Sequence, residues 1–480
     1  MEHDPAVRAF ISNIVRCSGV SGEEMTKDVE TLLGAPKRAI RKMAVPLIIA
    51  MFTSSINGLV NAAWISGLGL DALAAMAYLF PLFFITVGIS NGISVGASAA
   101  IARFIGAGDK TNAERTASVA FTLTVITAII FSVAMIFLAR PLMMAIGAGD
   151  VIDLCMQYIN VMFVFAIAFF INALMSSILR SEGSAKRSMI IMLAGSLLNL
   201  VLDPIFIYGC GWGMAGAALS TAVSLTVATL PAIYWFFIKR DTYLDLRIGR
   251  PHFDLKISKD IYRVGIPASI EFMAISIAVI MMNVILNHNS GDTAVAIYSA
   301  GWRIFNIIMI PCLGIGAAVV PVCAAAHGGK DYQKVRSAFF YSVKLAFVTM
   351  LILATALFIL ADVAAVIFTY SDEMAGLHDD IALFIRISCS FLPFIGFGVL
   401  SSSLFQSLGM GTRSLASTVF RNFVIVPVAF VVGISGTLVD IWWYVAAMEM
   451  LGPIVVIIWC LLVLRGIAKR SAAQRTADGT

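Results

Sequence analysis

The chain has 480 residues, 60% of them hydrophobic and 13% charged, with a mean hydropathy of +0.93. Soluble domains are about half apolar and a quarter charged, so this composition excludes a soluble globular domain and specifies an integral membrane protein. The net charge of +5 does not point to nucleic acid, because Lys and Arg are distributed as a membrane-topology signal.

Residues 1–38 form a polar lead, too polar for a signal peptide. Within it Val7, Phe10, Ile11, Ile14 and Val15 keep helical spacing with Arg8 and Arg16 off the stripe, which predicts a short amphipathic helix on the membrane surface. Twelve apolar stretches follow, each near the roughly 20 residues needed to cross a bilayer. They are predicted near 43–66, 73–102, 117–139, 157–180, 188–208, 215–238, 261–287, 294–326, 338–360, 381–408, 414–433 and 441–464. Basic residues gather in every second connection: Arg103, Lys110 and Arg115; Arg180, Lys186 and Arg187; a long run from Lys239 to Arg263; Lys330, Lys334 and Arg336; Arg413; and the tail from Arg465. The alternate connections are nearly free of them, and one is acidic, with Asp362, Asp372, Glu373, Asp379 and Asp380. By the positive-inside rule both termini are expected in the cytoplasm of a multi-pass protein of the cell membrane. The seven cysteines are scattered, with no metal or redox spacing, and are read as packing residues.

The second half of the chain repeats the first. Gly106-Ala-Gly-Asp-Lys110 returns as Gly328-Gly-Lys-Asp-Tyr332, and Leu174 to Gly183 returns as Leu400 to Gly409. Asn199 and Pro204 are echoed by Asn422 and Pro427. Six spans per half give both halves one orientation, a parallel repeat about an axis along the membrane normal. The expected fold is therefore an all-α membrane protein of twelve transmembrane helices in two six-helix lobes. The expected boundaries are a lead at 1–38, an N-lobe at 39–240, a linker at 241–259, a C-lobe at 260–466 and a tail at 467–480.

The repeat fails at one informative place: Asp203 precedes the N-lobe proline, whereas Val426 precedes that of the C-lobe. A carboxylate inside an apolar span costs roughly 3 kcal/mol or more, so it is a functional-site hypothesis by default. Asn199 lies one helical turn before Asp203 on the same face, and Pro204 removes a backbone donor beside it. Together they make an oxygen-rich spot for a proton or a small cation; an Asp merely capped by a neighbouring helix is the structural alternative. At 1.5 Å per residue, Asp203 lies about 24 Å from Arg187 and Asn61 about 28 Å from Lys42, comparable depths. Thr221 falls in the same half of its span. Asn61, Asn199, Asp203 and Thr221 converge if spans one, five and six adjoin. Asn172 is a further polar candidate, although a lone intramembrane Asn is more often helix–helix glue. In the C-lobe, Glu271 and Arg303 have depths that allow an ion pair; the functional reading is that Glu271 takes up a proton or meets a cationic substrate. No metal spacing, nucleophile motif or phosphate loop supports an enzyme.

These residues have a familiar order. The stretch Asn57-Gly-Leu-Val-Asn-Ala-Ala-Trp-Ile-Ser-Gly-Leu-Gly-Leu-Asp-Ala-Leu-Ala-Ala75, then Ile101 to Asp109, Ile178 to Arg187, Asn199 to Ile207 and Gly213 to Ala218, resembles the multidrug and toxic compound extrusion (MATE) family, in its prokaryotic branch with an N-lobe ion site. The resemblance implies a two-lobed antiporter that exports organic cations or amphipathic drugs against H+ or Na+, needs no cofactor and is expected as a monomer. It places the ion site, including any Na+, on Asn61, Asn199, Asp203 and Thr221. Asn61 stands where that branch has an aspartate, so a pair of carboxylates becomes one carboxylate and an amide. Glu271 matches the seventh-span acid of another branch. The alternatives are a lipid-linked or polysaccharide flippase of related fold, which favours several deep cations, and a non-transporting receptor.

Overall fold

A computed structural model describes residues 26–246, 254–366, 369, 376–435 and 437–478; the amphipathic stripe expected between Val7 and Val15 lies outside the described residues. A chain this apolar must satisfy its backbone within each span, and helices do so. Helix α1 (Lys27–Leu33) is followed by α2 (Pro36–Ser66), α3 (Leu70–Gly106) and α4 (Lys110–Ala145). The fourth span is α5 (Ile152–Val164) with α6 (Ala166–Ser181). The fifth is α7 (Ala185–Pro204) and the sixth α8 (Gly213–Ile233), each prolonged by a π turn. Helix α9 (Leu255–Ile308) holds the seventh span and the start of the eighth, parted at Gly291 where φ is 73°. The eighth continues as α10 (Ile310–Gly328), before α11 (Tyr332–Ile359) and the short α12 (Ala361–Val366). The tenth span is α13 (His378–Cys389) with α14 (Leu392–Ser407). Helices α15 (Gly411–Ser435) and α16 (Leu438–Asp478) complete the twelve. Among the described residues nine helices are long and apolar enough to cross a membrane, or eleven when each bent pair is one span.

The fourth and tenth spans, each read from the sequence as one continuous stretch, bend by 52° and 54°. The two bends occupy equivalent places in the repeat. Pro393 opens the second arm of the tenth, whereas the break at Phe165 has no proline to announce it. The repeat is also written in the connections. Asp109 and Asp331 each cap the following helix, accepting from Asn112 N at 3.0 Å and Lys334 N at 2.9 Å. The residue before each cap is left-handed, Gly108 at φ 76° and Lys330 at φ 55°. The non-glycine accepts that conformation because the turn around it is the same.

The lobes meet through α2 and α3 against α9 and α10. Contact runs along the half of these helices nearest the basic connections, here called the basic side. Gly92 and Gly96 of α3 lie against Ser269, Gly265 and Ile261 of α9, and Gly88 lies against Phe272. A methyl group on Gly106 would overlap the Ala325 carbonyl, and one on Gly328 would overlap the Arg103 carbonyl. These two approaches are related by the repeat. Arg103–Asp260 at 2.6 Å and Arg115–Asp254 at 2.9 Å also join the lobes there. Beyond Gly88 the lobes part. One buried cluster runs from the basic half of the N-lobe into the C-lobe, while a second, between Ile65 and Ala218, is confined to the far half of the N-lobe.

The end of the lead bridges the lobes on the basic side. Val29 and Leu32 of α1 are fully buried, Ser184 donates to Asp28 at 2.5 Å, and Lys334 of α11 donates to the Leu33 carbonyl. The start of the linker is clipped to the N-lobe, where Arg187 and Lys239 hold Asp241 at 3.0 and 2.8 Å.

Candidate ion site in the N-lobe

Spans one, five and six adjoin, so the four residues expected to converge do so. Asp203 is fully buried and Asn199 is 5% exposed. Asn61 Nδ2 donates to Asp203 Oδ2 at 2.9 Å. Asn199 Nδ2 faces Asp203 Oδ1 at 2.9 Å and Thr221 Oγ1 at 3.3 Å. Ser220 completes the shell, its hydroxyl donating to Asp203 Oδ1 and lying 3.1 Å from Asn199 Nδ2. A buried carboxylate is tolerable when donors replace its water shell, and here the donors come from three helices.

The geometry is a ladder. Helices α2 and α7 run parallel, and each carries polar residues one turn apart. Asn61 meets Asp203, and one turn nearer the basic side Asn57 Nδ2 donates to Asn199 Oδ1 at 2.8 Å. The second rung fixes which way the Asn199 amide faces: its oxygen is taken by Asn57, so its nitrogen turns to the carboxylate. Asn57 Oδ1 is buried and has no hydrogen-bond partner among the described residues, which leaves an oxygen acceptor next to the site. Asn57 and Ser220 were not among the residues read from the sequence. The signal for Asn57 was present: it precedes Asn61 by four residues, as Asn199 precedes Asp203. Ser220 carried no such signal beside Thr221.

Beyond Pro204 the chain widens into the π turn Ile205–Gly209, closed by Cys210 N–H to the Ile205 carbonyl at 2.8 Å. The missing proline donor and this widened turn interrupt the helix next to the carboxylate, and such turns recur at functional sites. Thr221 also lines a mostly apolar cavity within the N-lobe, with Phe83, Tyr158, Phe169 and Leu225. The site thus has a polar inner wall and an apolar outer one.

The remaining candidates lie elsewhere. Asn172 bridges α6 to α8, donating to Thr229 Oγ1 at 3.0 Å and the Leu225 carbonyl at 3.4 Å; this is helix–helix glue. Glu271 is 7% exposed and points into its own lobe, accepting from Ser402 at 3.0 Å and Gln406 at 3.4 Å. The ion pair expected with Arg303 is not formed among the described residues. Glu271 turns towards α14, while Arg303 is exposed. Depth along the chain placed the two level, but helix phase points them apart. The repeat explains the pocket around Glu271: Ser402 and Ser414 pair at 2.6 Å, as Ser176 and Ser188 pair at 2.7 Å in the N-lobe. Arg180 reaches that N-lobe pair at 3.0 Å, where the C-lobe has Gln406 and the carboxylate.

Comparison with known proteins agrees with this architecture. The MatE family model matches residues 46–205 and 267–431, one stretch in each repeat. The chain is similar to the multidrug export protein MepA of Staphylococcus aureus (strain bovine RF122 / ET3-1), 27% identical over 434 residues that cover 86% of this chain and 91% of that protein. It is also similar to the crystal structure of MATE in complex with MaL6, with TM-score 0.90 and 35% identity, covering 93% of this chain and 100% of the other. A structure described as the outward-facing conformation of a multidrug resistance MATE family transporter of the MOP superfamily has TM-score 0.89 and 35% identity, covering 92% and 99%.

Proposed function

Because the chain belongs to the MatE family, we propose that it is a secondary antiporter exporting organic cations or amphipathic drugs in exchange for H+ or Na+. It is a transporter and not an enzyme. The observation that carries the coupling is Asp203, a fully buried carboxylate gripped by side chains of three helices. A carboxylate in a desolvated site exchanges one cation for another, because charge left unpaired there is costly. Uptake of a proton or Na+ alters the hydrogen bonds that tie α2 to α7, and α2 lies on the lobe interface. Ion binding and lobe movement are thereby linked. Asn61 contributes an amide oxygen to Na+ after a half-turn of its side chain, but takes up no proton. Asp203 is therefore the proton carrier of this site, and Glu271 is assigned the second coupling role.

The lobes, at 39–240 and 260–466, rock about the linker at 241–259, with the lead at 1–38 and the tail at 467–480. The basic side faces the cytoplasm of the cell membrane, and the chain acts as a monomer. On this reading the basic side, where Gly92, Gly96, Gly106 and Gly328 pack the lobes together, is the closed one.

The test is flux of a fluorescent organic cation into inverted proteoliposomes, under a pH gradient and a Na+ gradient imposed separately. Flux is expected with one gradient and is expected to collapse in Asp203→Asn. Unchanged coupled flux in that variant removes Asp203 from the mechanism, and Glu271→Gln then tests the other carboxylate. Ligand binding without flux under either gradient supports the receptor alternative.

A further inference from the structure

We propose that Arg303 forms, with Ser299 and Asn306, an anion-accepting site on the C-lobe wall of the cleft. The compounds exported then carry a carboxylate or phosphate beside an apolar body. This rests on the antiporter reading and narrows its substrate class.

Helix phase places Arg303. At 3.6 residues per turn, Ser299, Arg303, Asn306, Gly314 and Ala325 fall within a sector of about 100° on the eighth span. Farther along this sector, Gly314 packs on Ile48 of α2 and Ala325 packs on Gly106 of α3. The sector therefore faces the N-lobe, and at Arg303 it faces the gap where the lobes have parted. The opposite side of the helix is taken by its own lobe. There Tyr298 stacks on Trp442 at 6.1 Å, Gly301 lies against Phe384, and Phe305 meets Phe384 at 5.9 Å. Arg303 is exposed and lies about 15 Å in from the far end of its span. A guanidinium at that depth faces a water-filled cavity rather than lipid.

The surroundings leave it uncompensated. Of the carboxylates buried within the spans, Asp203 turns into the N-lobe and Glu271 into the C-lobe, and Glu449 is buried in the C-lobe on α16. In the far halves of the helices that meet at the interface, 51–66, 70–87, 273–288 and 293–308, the Asp, Glu, Lys and Arg residues are Asp71, near the start of α3, and Arg303. Among the described residues no carboxylate is within ion-pair distance of Arg303. On the seventh span, the face in phase with Gly265 and Ser269 carries Val279 and Ile280, 42% and 55% exposed, and then Asn283. A planar guanidinium grips a carboxylate or phosphate through two parallel hydrogen bonds. The Ser299 and Asn306 side chains supply neutral donors one turn to either side, and the apolar face receives the body of the compound.

The test compares two probes of one apolar frame: a cationic rhodamine methyl ester and its free acid. Binding to the purified full chain is measured by fluorescence polarisation, and flux is measured in proteoliposomes. Arg303→Gln is expected to weaken binding of the free acid about tenfold, the size of one charge-assisted hydrogen bond, and to leave the ester unchanged. Arg303→Lys, which keeps the charge but not the two-pronged contact, is expected to recover only part of the free-acid affinity, and unchanged ester binding in both variants guards against a folding defect. Equal effects on both probes, or no effect on the free acid, overturn the site. A fluorescent anionic phospholipid distinguishes the sources: loss of its transbilayer movement in Arg303→Gln marks a lipid headgroup, and loss of free-acid flux marks a soluble compound. If Arg303→Gln discriminates the probes in binding while neither gradient drives flux in the parent, the anion site stands and the antiporter reading fails.

Discussion

Glu182 shows how one residue outside the spans ties pH to stability. It closes the turn after α6 and is 1% exposed, and its Oε2 accepts from Tyr243 N at 3.2 Å and Leu244 N at 3.4 Å. Burial pushes its carboxyl up from 4.5 to about 7, against the opposing pull of the Leu244 N–H, the Ser184 hydroxyl and Arg187; Asp28 adds a small push upward. Between those two values the folded chain holds a proton that the unfolded chain has lost. This contribution is therefore complete below about pH 4.5 and falls as pH rises towards about 7, by on the order of 3 kcal/mol in all. The melting temperature of the purified protein in detergent is expected to drop between about pH 5 and about pH 7. Glu182→Gln, which keeps an oxygen for the two N–H groups, is expected to flatten that slope; an unchanged slope assigns it to other groups. At this scale legibility was uneven. Asp203 stood out as a charge in an apolar run that its repeat partner Val426 does without. Glu182 did not, because a carboxylate beside basic residues reads as a solvated loop until the linker is seen to cover it.

At the scale of elements, spacing in the sequence translated directly into contact. The four-residue steps Asn57–Asn61 and Asn199–Asp203 become two rungs because α2 and α7 run parallel. The repeated Gly106 and Gly328 motifs become two symmetric backbone approaches between α3 and α10. The bend at Phe165 was not legible, because neither proline nor glycine marks it. The orientation of Glu271 was not legible either, because depth along a helix says nothing of the direction in which a side chain points. The glycine approach has a direct consequence. In Gly106→Val the side chain meets the Ala325 carbonyl only while the lobes are closed on the basic side. Overpacking costs about 1–3 kcal/mol, and here parting the lobes relieves it. The closed state is expected to lose population about tenfold, with export falling in proportion. Spin labels at Thr111 and Gln333, exposed and repeat-equivalent, are expected to move apart. An unchanged distance distribution with full transport removes the glycine contact from the gate.

For the whole molecule, the proposed rocking of the lobes turns on the balance between two arrangements, and sequence carries little of it. Hydropathy predicted twelve spans and the internal repeat divided them into two lobes, but neither said which side is closed. That depends on small differences between large interfaces. The basic side is closed here by packed glycines, by α1 reaching from Asp28 to Leu33 across both lobes, and by ion pairs that span them. Of these pairs, Arg103–Asp260 is the better shielded, with side chains 18% and 34% exposed at 2.6 Å. Arg103 also donates to Ala99 in its own helix at 3.1 Å, so the guanidinium is held in place and little entropy is lost when Asp260 meets it. A partly exposed pair of this kind contributes about 1 kcal/mol. Because it links the two lobes, that energy acts on their equilibrium more than on the stability of either one. Asp260→Asn keeps the shape and removes the charge. It is expected to shift the lobes towards the arrangement open on the basic side about fivefold, read as growth of the longer distance between the Thr111 and Gln333 labels. Raising ionic strength is expected to act on the parent protein in the same direction and to have a smaller effect on the variant, since exposed charges are screened within about 8 Å at physiological salt. If Asp260→Asn lowers the melting temperature without changing the label distances, the pair supports one lobe only, and the gate rests on the glycines and α1.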